Sequence, residues 1–114
     1  MDLANIYQSR VTTAQEAVKH IQSGQRIFLT GNVSVPQTVL AALVERAPEL
    51  SNIEIAQVLT VGSADYVSPA MDGHLRVNTM FISANIRKAV QDGRGDFTPV
   101  FLSEFPLLFK SGRL

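Results

Sequence analysis

Short apolar segments alternate along this chain with segments that carry the caps and the periodicity of amphipathic helices. The run 26–30 is rich in strand formers and bounded by glycines, which is typical of a strand covered on both faces. It follows a predicted helix at 14–23, in which Thr13 and Glu16 form a capping box and Gly24 supplies a left-handed stop. Strands that alternate with helices predict right-handed crossovers onto a mostly parallel sheet.

The same alternation continues to the end of the chain. Further strands are predicted at 53–59, 75–82 and 97–102, the first two separated by a loop at 60–73. Further helices are predicted behind the cap Ser34 with Pro36 in the first turn, at 85–92, and at 105–110 behind the cap Ser103. We therefore expect an open α/β sheet with flanking helices, whose core contains Ile27, Leu29, Ile55, Val58, Phe81, Val100 and Leu102.

The predicted sheet is small for a finished doubly wound domain. The sequence ends just after an apolar helix, at a point where the alternation predicts another strand. We expect residues 1–114 to be the N-terminal part of a larger α/β domain. Leu107, Leu108 and Phe109 would then form an exposed apolar patch, because the element that should cover them is absent.

Composition excludes several classes of function. The 114 residues contain ten Lys and Arg, ten Asp and Glu, and no cysteine. A net charge of zero argues against nucleic acid or an anionic membrane as partner, since both favour a surplus of positive charge. Without cysteine there are no disulfides and no thiol chemistry, and the isolated His20 and His74 predict no metal site. The acidic start, with no apolar leader after it, favours a cytoplasmic protein.

Candidate ligand-binding residues follow the predicted strands. In an open parallel sheet, ligands bind where the carboxyl ends of strands lead into helices. The predicted loops at that edge collect Asn32, Ser34, Ser63, Asp65, Tyr66, Asn85, Arg87 and Glu104. The turn from Gly31 to Ser34, with free amides and a helix behind it, suits an anion or a developing oxyanion. It matches neither a dinucleotide fingerprint nor a phosphate loop, and a tight turn before a capped helix explains the same residues.

Glu104 is a second candidate, with three possible roles. Its place at a predicted strand end suits a base or a nucleophile. The same place suits an acid stabilised by the dipole of the following helix, or an ion-pair partner of Arg87. The residues alone leave these roles open.

Several segments together match one known family. Near the start these are Thr13-x-x-Glu16-Ala17-Val18, the turn Gly31-x-x-Ser34-x-Pro36, and Asn52-Ile53-Glu54-Ile55. The more specific match is Gly93-Arg94-Gly95-Asp96 followed by Leu102-Ser103-Glu104-Phe105-Pro106. In these segments, and over essentially its whole length, the chain resembles the acetyl-CoA hydrolase/transferase family, also called the 4-hydroxybutyrate or acetate CoA-transferase family.

The resemblance implies an enzyme that moves CoA between carboxylic acids, with acyl-CoA and a short-chain carboxylic acid as substrates and no separate cofactor. In this family a glutamate attacks the acyl-CoA, and a glutamyl-CoA thioester then carries the CoA to the incoming acid. That glutamate lies in the family's C-terminal half, so we expect no catalytic residue in this chain and no activity from it alone. Glu104 matches the family's Ser-Glu-x-Pro motif instead.

The candidate substrate-binding residues are therefore Gly31, Asn32, Ser34 and Glu104, and the expected protein partners are the C-terminal half and further copies of the same protein. Two other interpretations remain open. The chain could be a non-catalytic α/β module that binds a phosphorylated or carboxylated metabolite with the same loops, or a structural half-domain that only docks to a partner chain. An open reading frame that continues well beyond residue 114 and supplies a glutamate favours the transferase over both.

Overall fold

The computed structural model describes residues 2–114 and confirms an open α/β sheet with flanking helices. All neighbouring strands are parallel, and they lie in chain order. The strands are β1 (Arg26–Leu29), β2 (Ile53–Gln57), β3 (Leu75–Thr79) and β4 (Gly95–Phe97). The helices are α1 (Leu3–Arg10), α2 (Ala14–Val18), α3 (Gln37–Arg46), α4 (Ala84–Gln91) and α5 (Phe105–Lys110). Within the described residues, no helix is long and apolar enough to cross a membrane.

The order of the strands places the main helices over one face of the sheet. Because each new strand is added on the same side of the last one, right-handed crossovers all lie over the same face. A single core accordingly joins Val18 of α2, Leu43 of α3 and Ile86 of α4 to the inward side chains of β1, β2 and β3. We call this the covered face; its strand residues are 27, 29, 53, 55, 57, 75, 77 and 79.

The opposite face, which we call the polar face, carries the strand residues 26, 28, 54, 56, 76, 78 and 96. Arg26 Nε lies 3.1 Å from Glu54 Oε1, and Asn78 Nδ2 donates to the same oxygen at 3.1 Å. Arg76 donates to both carboxylate oxygens of Asp96, at 2.6 and 2.7 Å. The charged and polar side chains of this face are therefore paired with one another across the strands.

Helix α5 returns across the polar face to β1. Phe105 and Phe109 of this helix contact Phe28, with ring centroids 5.6 and 5.7 Å apart. Leu108 is buried, whereas Leu107 and Phe109 are about half exposed. The prediction of an uncovered patch at 107–109 was therefore wrong for Leu108, because the helix folds back onto β1.

The fourth strand is shorter and earlier than predicted. It spans Gly95–Phe97 instead of 97–102, and the chain leaves the sheet before Pro99, which has no N–H to donate. A Cβ at Gly95 would lie 2.6 Å from Val77 Cγ1, so this close backbone approach requires glycine. Val100 and Leu102 consequently lie outside the sheet.

The predicted core was correct in part. Leu29 and Ile55 are buried, as predicted. Ile27, Val58 and Val100 are only partly buried, and the prediction was wrong for Phe81 and Leu102, which are exposed. Phe81 and Leu102, for which burial was wrongly predicted, lie beyond the ends of β3 and β4, where the alternation of the two faces no longer applies.

Three helices also differ from the prediction: one was not predicted, one ends earlier, and one has a different cap residue. Helix α1 was not predicted, because none of its residues is buried and it has no apolar face to detect. Helix α2 begins behind the predicted cap, with Thr13 Oγ1 accepting from the Glu16 amide at 3.1 Å, but it ends at Val18. Helix α3 has Pro36 at its cap position, so Ser34 does not cap it.

Candidate functional site

Two loops meet backbone to backbone at the carboxyl edge of the sheet. The Asn32 amide donates to the Leu59 carbonyl at 2.8 Å, and Asn32 forms an isolated parallel bridge with Thr60. A Cβ at Gly31 would lie 2.4 Å from the same carbonyl oxygen. Gly31 is therefore required by close packing against the loop that follows β2.

The turn from Gly31 to Ser34 is exposed but already partly bonded. Asn32 has a positive φ of 53°, and Val33 is 98% exposed. The Ser34 amide donates to the Gly31 carbonyl at 3.0 Å, and the Thr30 hydroxyl donates to the Ser34 carbonyl at 2.7 Å. With the amides of Asn32 and Ser34 bonded inside the protein, the turn offers an anion fewer donors than the sequence indicated.

A buried polar network lies beside this turn. Gln57, Thr60, Tyr66 and Thr79 are each at most 2% exposed. The Tyr66 hydroxyl donates to Gln57 Oε1 at 2.7 Å and lies 2.9 Å from Thr60 Oγ1. Gln57 Nε2 donates to the hydroxyl oxygens of Thr60 and Thr79, at 3.3 and 3.5 Å. The network therefore ties the end of β2 to the end of β3 and to the loop that follows β2.

Burial favours the protonated form of the Tyr66 hydroxyl. Desolvation raises the pKa of the Tyr66 hydroxyl above its usual value, although its hydrogen bonds with Thr60 and Gln57 act in the opposite direction. The hydroxyl therefore remains neutral, with a proton to donate, throughout the physiological pH range.

Glu104 lies in an open apolar groove of about 510 Å³. The groove is lined by Met80, Phe81, Ile82, Phe97, Pro99, Val100, Phe101 and Glu104. Glu104 supplies the only ionisable side chain of that lining and stands directly before α5. Among residues 2–114, no ion pair joins it to Arg87, so that predicted role does not occur.

The structure separates the candidate residues into two groups. Gly31, Asn32 and Ser34 share one turn after β1, whereas Glu104 lies in a groove whose lining contains none of them. Of the other polar residues predicted at the edge, Tyr66 is buried, and Ser63, Asp65 and Arg87 are exposed. Among the described residues, no three His, Asp or Glu side chains form a group able to bind a metal ion.

Sequence reasoning missed the network because its residues were assigned to strands or to different loops. Gln57 and Thr79 stand on the inward side of their strands, two residues after Ile55 and Val77, where the other inward-facing residues are apolar. A polar residue at such a position was the available signal, since burying it requires hydrogen-bond partners.

Comparison with known proteins identifies the family of the chain. The family model of the acetyl-CoA hydrolase/transferase N-terminal domain matches residues 1–114. The chain therefore belongs to this family, as its sequence motifs predicted, and is similar to several CoA-transferases.

Curated relatives of the chain are all much longer than it is. It is 34% identical over 114 residues to a 4-hydroxybutyrate coenzyme A transferase from Clostridium kluyveri. This match covers 100% of this chain but only 27% of that protein. It is 34% identical over 101 residues to a succinyl-CoA:acetate/propanoyl-CoA:succinate CoA transferase from Fasciola hepatica, covering 87% of this chain and 21% of that one. A butyryl-CoA:acetate CoA-transferase from Anaerostipes caccae is 30% identical over 114 residues, and this match covers 97% of this chain and 25% of that protein.

A solved structure supports the fold. RipA from Yersinia pestis superimposes with a TM-score of 0.80 at 24% identity, over 95% of this chain and 28% of that chain. The likeness confirms the α/β architecture and shows that an equivalent fold forms one part of a larger protein.

Proposed function

We propose that this chain is the N-terminal domain of a CoA-transferase, which moves CoA from an acyl-CoA to a carboxylic acid. The observation that carries the proposal is the match of the family model to the entire chain, together with 34% identity to a 4-hydroxybutyrate coenzyme A transferase over all 114 residues. The coenzyme A thioester acts as substrate, and no additional cofactor is required.

The nucleophile in this proposal is a glutamate outside residues 1–114. Its carboxylate attacks the thioester carbonyl of the acyl-CoA and displaces the CoA thiolate, which leaves an acyl-glutamyl anhydride. The thiolate then attacks the glutamyl carbonyl and releases the first carboxylic acid, so that the CoA is held as a glutamyl-CoA thioester until the second acid takes it by the reverse steps. This route divides one difficult exchange into two easier ones. Each addition step needs hydrogen-bond donors for an oxyanion. In this proposal the exposed turn at 31–34 contributes to that site through groups other than the Asn32 and Ser34 amides, which are bonded inside the protein.

Glu104 has a binding role in the proposal rather than a nucleophilic one. Its exposed side chain lines an otherwise apolar groove together with Phe81 and Phe101. Such a groove suits an apolar chain with a polar group at one end, as in the acyl or pantetheine part of an acyl-CoA. Gly31, Asn32 and Ser34 lie at the other candidate position and complete the substrate-binding set. We also expect the intact protein to be a homo-oligomer.

The test uses the protein encoded by the complete open reading frame. It is incubated with acyl-CoA and treated with borohydride, which reduces the glutamyl thioester, and the modified residue is located by peptide mass. We expect transfer activity, and an adduct on a glutamate outside residues 1–114. An adduct on Glu104 would instead make this domain the source of the nucleophile, and no transfer at all would favour a non-catalytic module.

Glu104→Gln separates binding from attack in the same protein. This variant should lower turnover only in part and still form the adduct, because the attacking carboxylate is elsewhere. Glu45→Gln on the exposed surface of α3 is the matched control and should behave as the parent does. Loss of the adduct in Glu104→Gln alone would contradict the binding role.

A further inference from the structure

The four side chains of the buried polar network are fully hydrogen-bonded inside the protein. They satisfy one another, and no buried side-chain polar atom among the described residues lacks a hydrogen-bond partner. Replacing such a group of partners by apolar residues of the same shape is often nearly neutral for stability. A fully satisfied buried network can, however, fix the geometry of the segments that it joins.

Thr60 is the centre of the network. Its hydroxyl oxygen lies 2.9 Å from the Tyr66 hydroxyl, 3.3 Å from Gln57 Nε2 and 3.5 Å from Asn85 Nδ2. Its backbone forms the bridge with Asn32, directly after the Leu59 carbonyl that accepts the Asn32 amide. The side chain that is anchored in the core thus belongs to the residue that pairs with the exposed turn.

The loop that contains Thr60 is held from two further directions. Gln37 Nε2, at the start of α3, donates to the Val61 carbonyl at 3.3 Å. Asn85 Nδ2, in the first turn of α4, donates to the Gly62 carbonyl at 3.2 Å. The loop is therefore fixed between two helices as well as by the buried network.

The turn needs such support. Asn32 has the left-handed backbone conformation, which asparagine adopts more readily than other residues with a Cβ but less readily than glycine. Its neighbour Val33 is almost fully exposed and contributes no packing. The hydrogen bond to Leu59 and the pairing with Thr60 are the contacts that hold the Asn32 backbone in this conformation.

We propose that Thr60 and Tyr66 are positioning residues, whose hydroxyl–hydroxyl hydrogen bond holds the turn from Gly31 to Ser34 in the geometry that binds acyl-CoA. The identity of the ligand rests on the proposed function. The coupling between the network and the turn does not, so the two are tested separately.

The coupling is tested by amide hydrogen exchange in the protein encoded by the full open reading frame, measured by mass spectrometry at single-residue resolution. Thr60→Val removes the hydroxyl and keeps the shape, and it should accelerate exchange of the Asn32 amide about threefold to tenfold relative to the Ile55 amide in β2. Thr60→Ser restores a hydroxyl and should restore the protection. An unchanged Asn32 amide, or equal acceleration at Asn32 and Ile55, overturns the coupling, since the latter indicates global destabilisation alone.

The consequence for binding is tested by steady-state kinetics of the full open reading frame. Thr60→Val should raise the KM for acyl-CoA about tenfold and change kcat much less, and Thr60→Ser should return KM towards the parent value. Tyr66→Phe should act in the same direction, whereas Tyr7→Phe, at an exposed position of α1, is the control. A parent enzyme without CoA transfer refutes the proposed function; a normal KM in Thr60→Val refutes the positioning role.

Discussion

The two faces of the sheet are stabilised by different interactions. On the covered face, Ile53, Ile55 and Val77 are at most 1% exposed and pack against three helices in one core. On the polar face, Arg76 and Asp96 form an ion pair in which both side chains are about half exposed. One face derives its stability from removing apolar surface from water, and the other from cross-strand pairing of charges.

The difference follows from strand order. When strands are added in one direction, every crossover lies over the same face, and the other face must either tolerate water or be covered by something else. Here β1 is covered by the aromatic side chains of α5, whereas β3 and β4 carry charged pairs instead. Within residues 2–114, the second face is thus covered by a helix over β1 and carries charged pairs over β3 and β4.

The largest expected effect is a cavity in the covered face. Ile55→Ala should lower the free energy of unfolding by about 2–5 kcal/mol, because the side chain is fully buried and the space cannot close completely. Val33→Ala, at a fully exposed position, serves as the control and should have almost no effect. Urea unfolding at neutral pH measures both, and a loss below about 1 kcal/mol for Ile55→Ala would mean that this face is not the main core.

An intermediate effect is expected where α5 covers β1. Phe28→Ala should cost about 1–2 kcal/mol, less than a fully buried aromatic residue, because Phe28 is 41% exposed. A double-mutant cycle with Phe109→Ala should give a coupling energy of about 0.5–1.5 kcal/mol, as expected for aromatic pairs. Phe101→Ala, at a position 76% exposed, is the matched control. Strict additivity of the two substitutions would show that α5 does not rest on β1 in solution.

The smallest effect is expected from the ion pair of the polar face. Hydrogen bonds from Arg76 hold the pKa of Asp96 below its usual value. A carboxylate with a lowered pKa in the folded state binds fewer protons than in the unfolded chain, so its stabilisation is present at neutral pH and is lost as the pH falls through the acid range. Because both side chains are about half exposed, we expect less than about 1 kcal/mol.

Urea unfolding of the parent and of Asp96→Asn at several pH values measures this contribution. The difference between the two proteins should shrink as the pH falls from neutral to below the usual pKa of aspartate. Arg76→Met should show the same pH dependence, and the double variant should lose little more than either single one. A difference that is constant with pH would mean that the ion pair does not stabilise the fold.

The fold was largely predictable because apolar periodicity determines which segments are strands and which are helices. The runs around Ile27 and Ile55 predicted their strands, and the Thr13 cap predicted the start of α2. The boundary of β4 was not predictable, since the close approach of Gly95 to Val77 is a tertiary contact. Helix α1 escaped prediction because it buries no side chain.

The candidate site was less predictable than the fold. The turn at Gly31 could be found from its glycine and from the family motif. Its packing against Leu59 and its pairing with Thr60 could not, because they join loops that are distant in sequence. Tyr66 seemed suited to a ligand while only its place in a loop was known, yet its hydroxyl faces Gln57 inside the protein.

The strand order also affects how the molecule is made. Each strand pairs with the one synthesised just before it, so the sheet extends from one edge as translation proceeds, and few sheet contacts must wait for later residues. The main exception is the end of the chain: Phe105 and Phe109 contact Phe28, and the Arg113 carbonyl accepts a hydrogen bond from Arg26 at 2.9 Å. The first strand to leave the ribosome is therefore the last to be covered, and its aromatic side chain stays accessible to chaperones until α5 has been released.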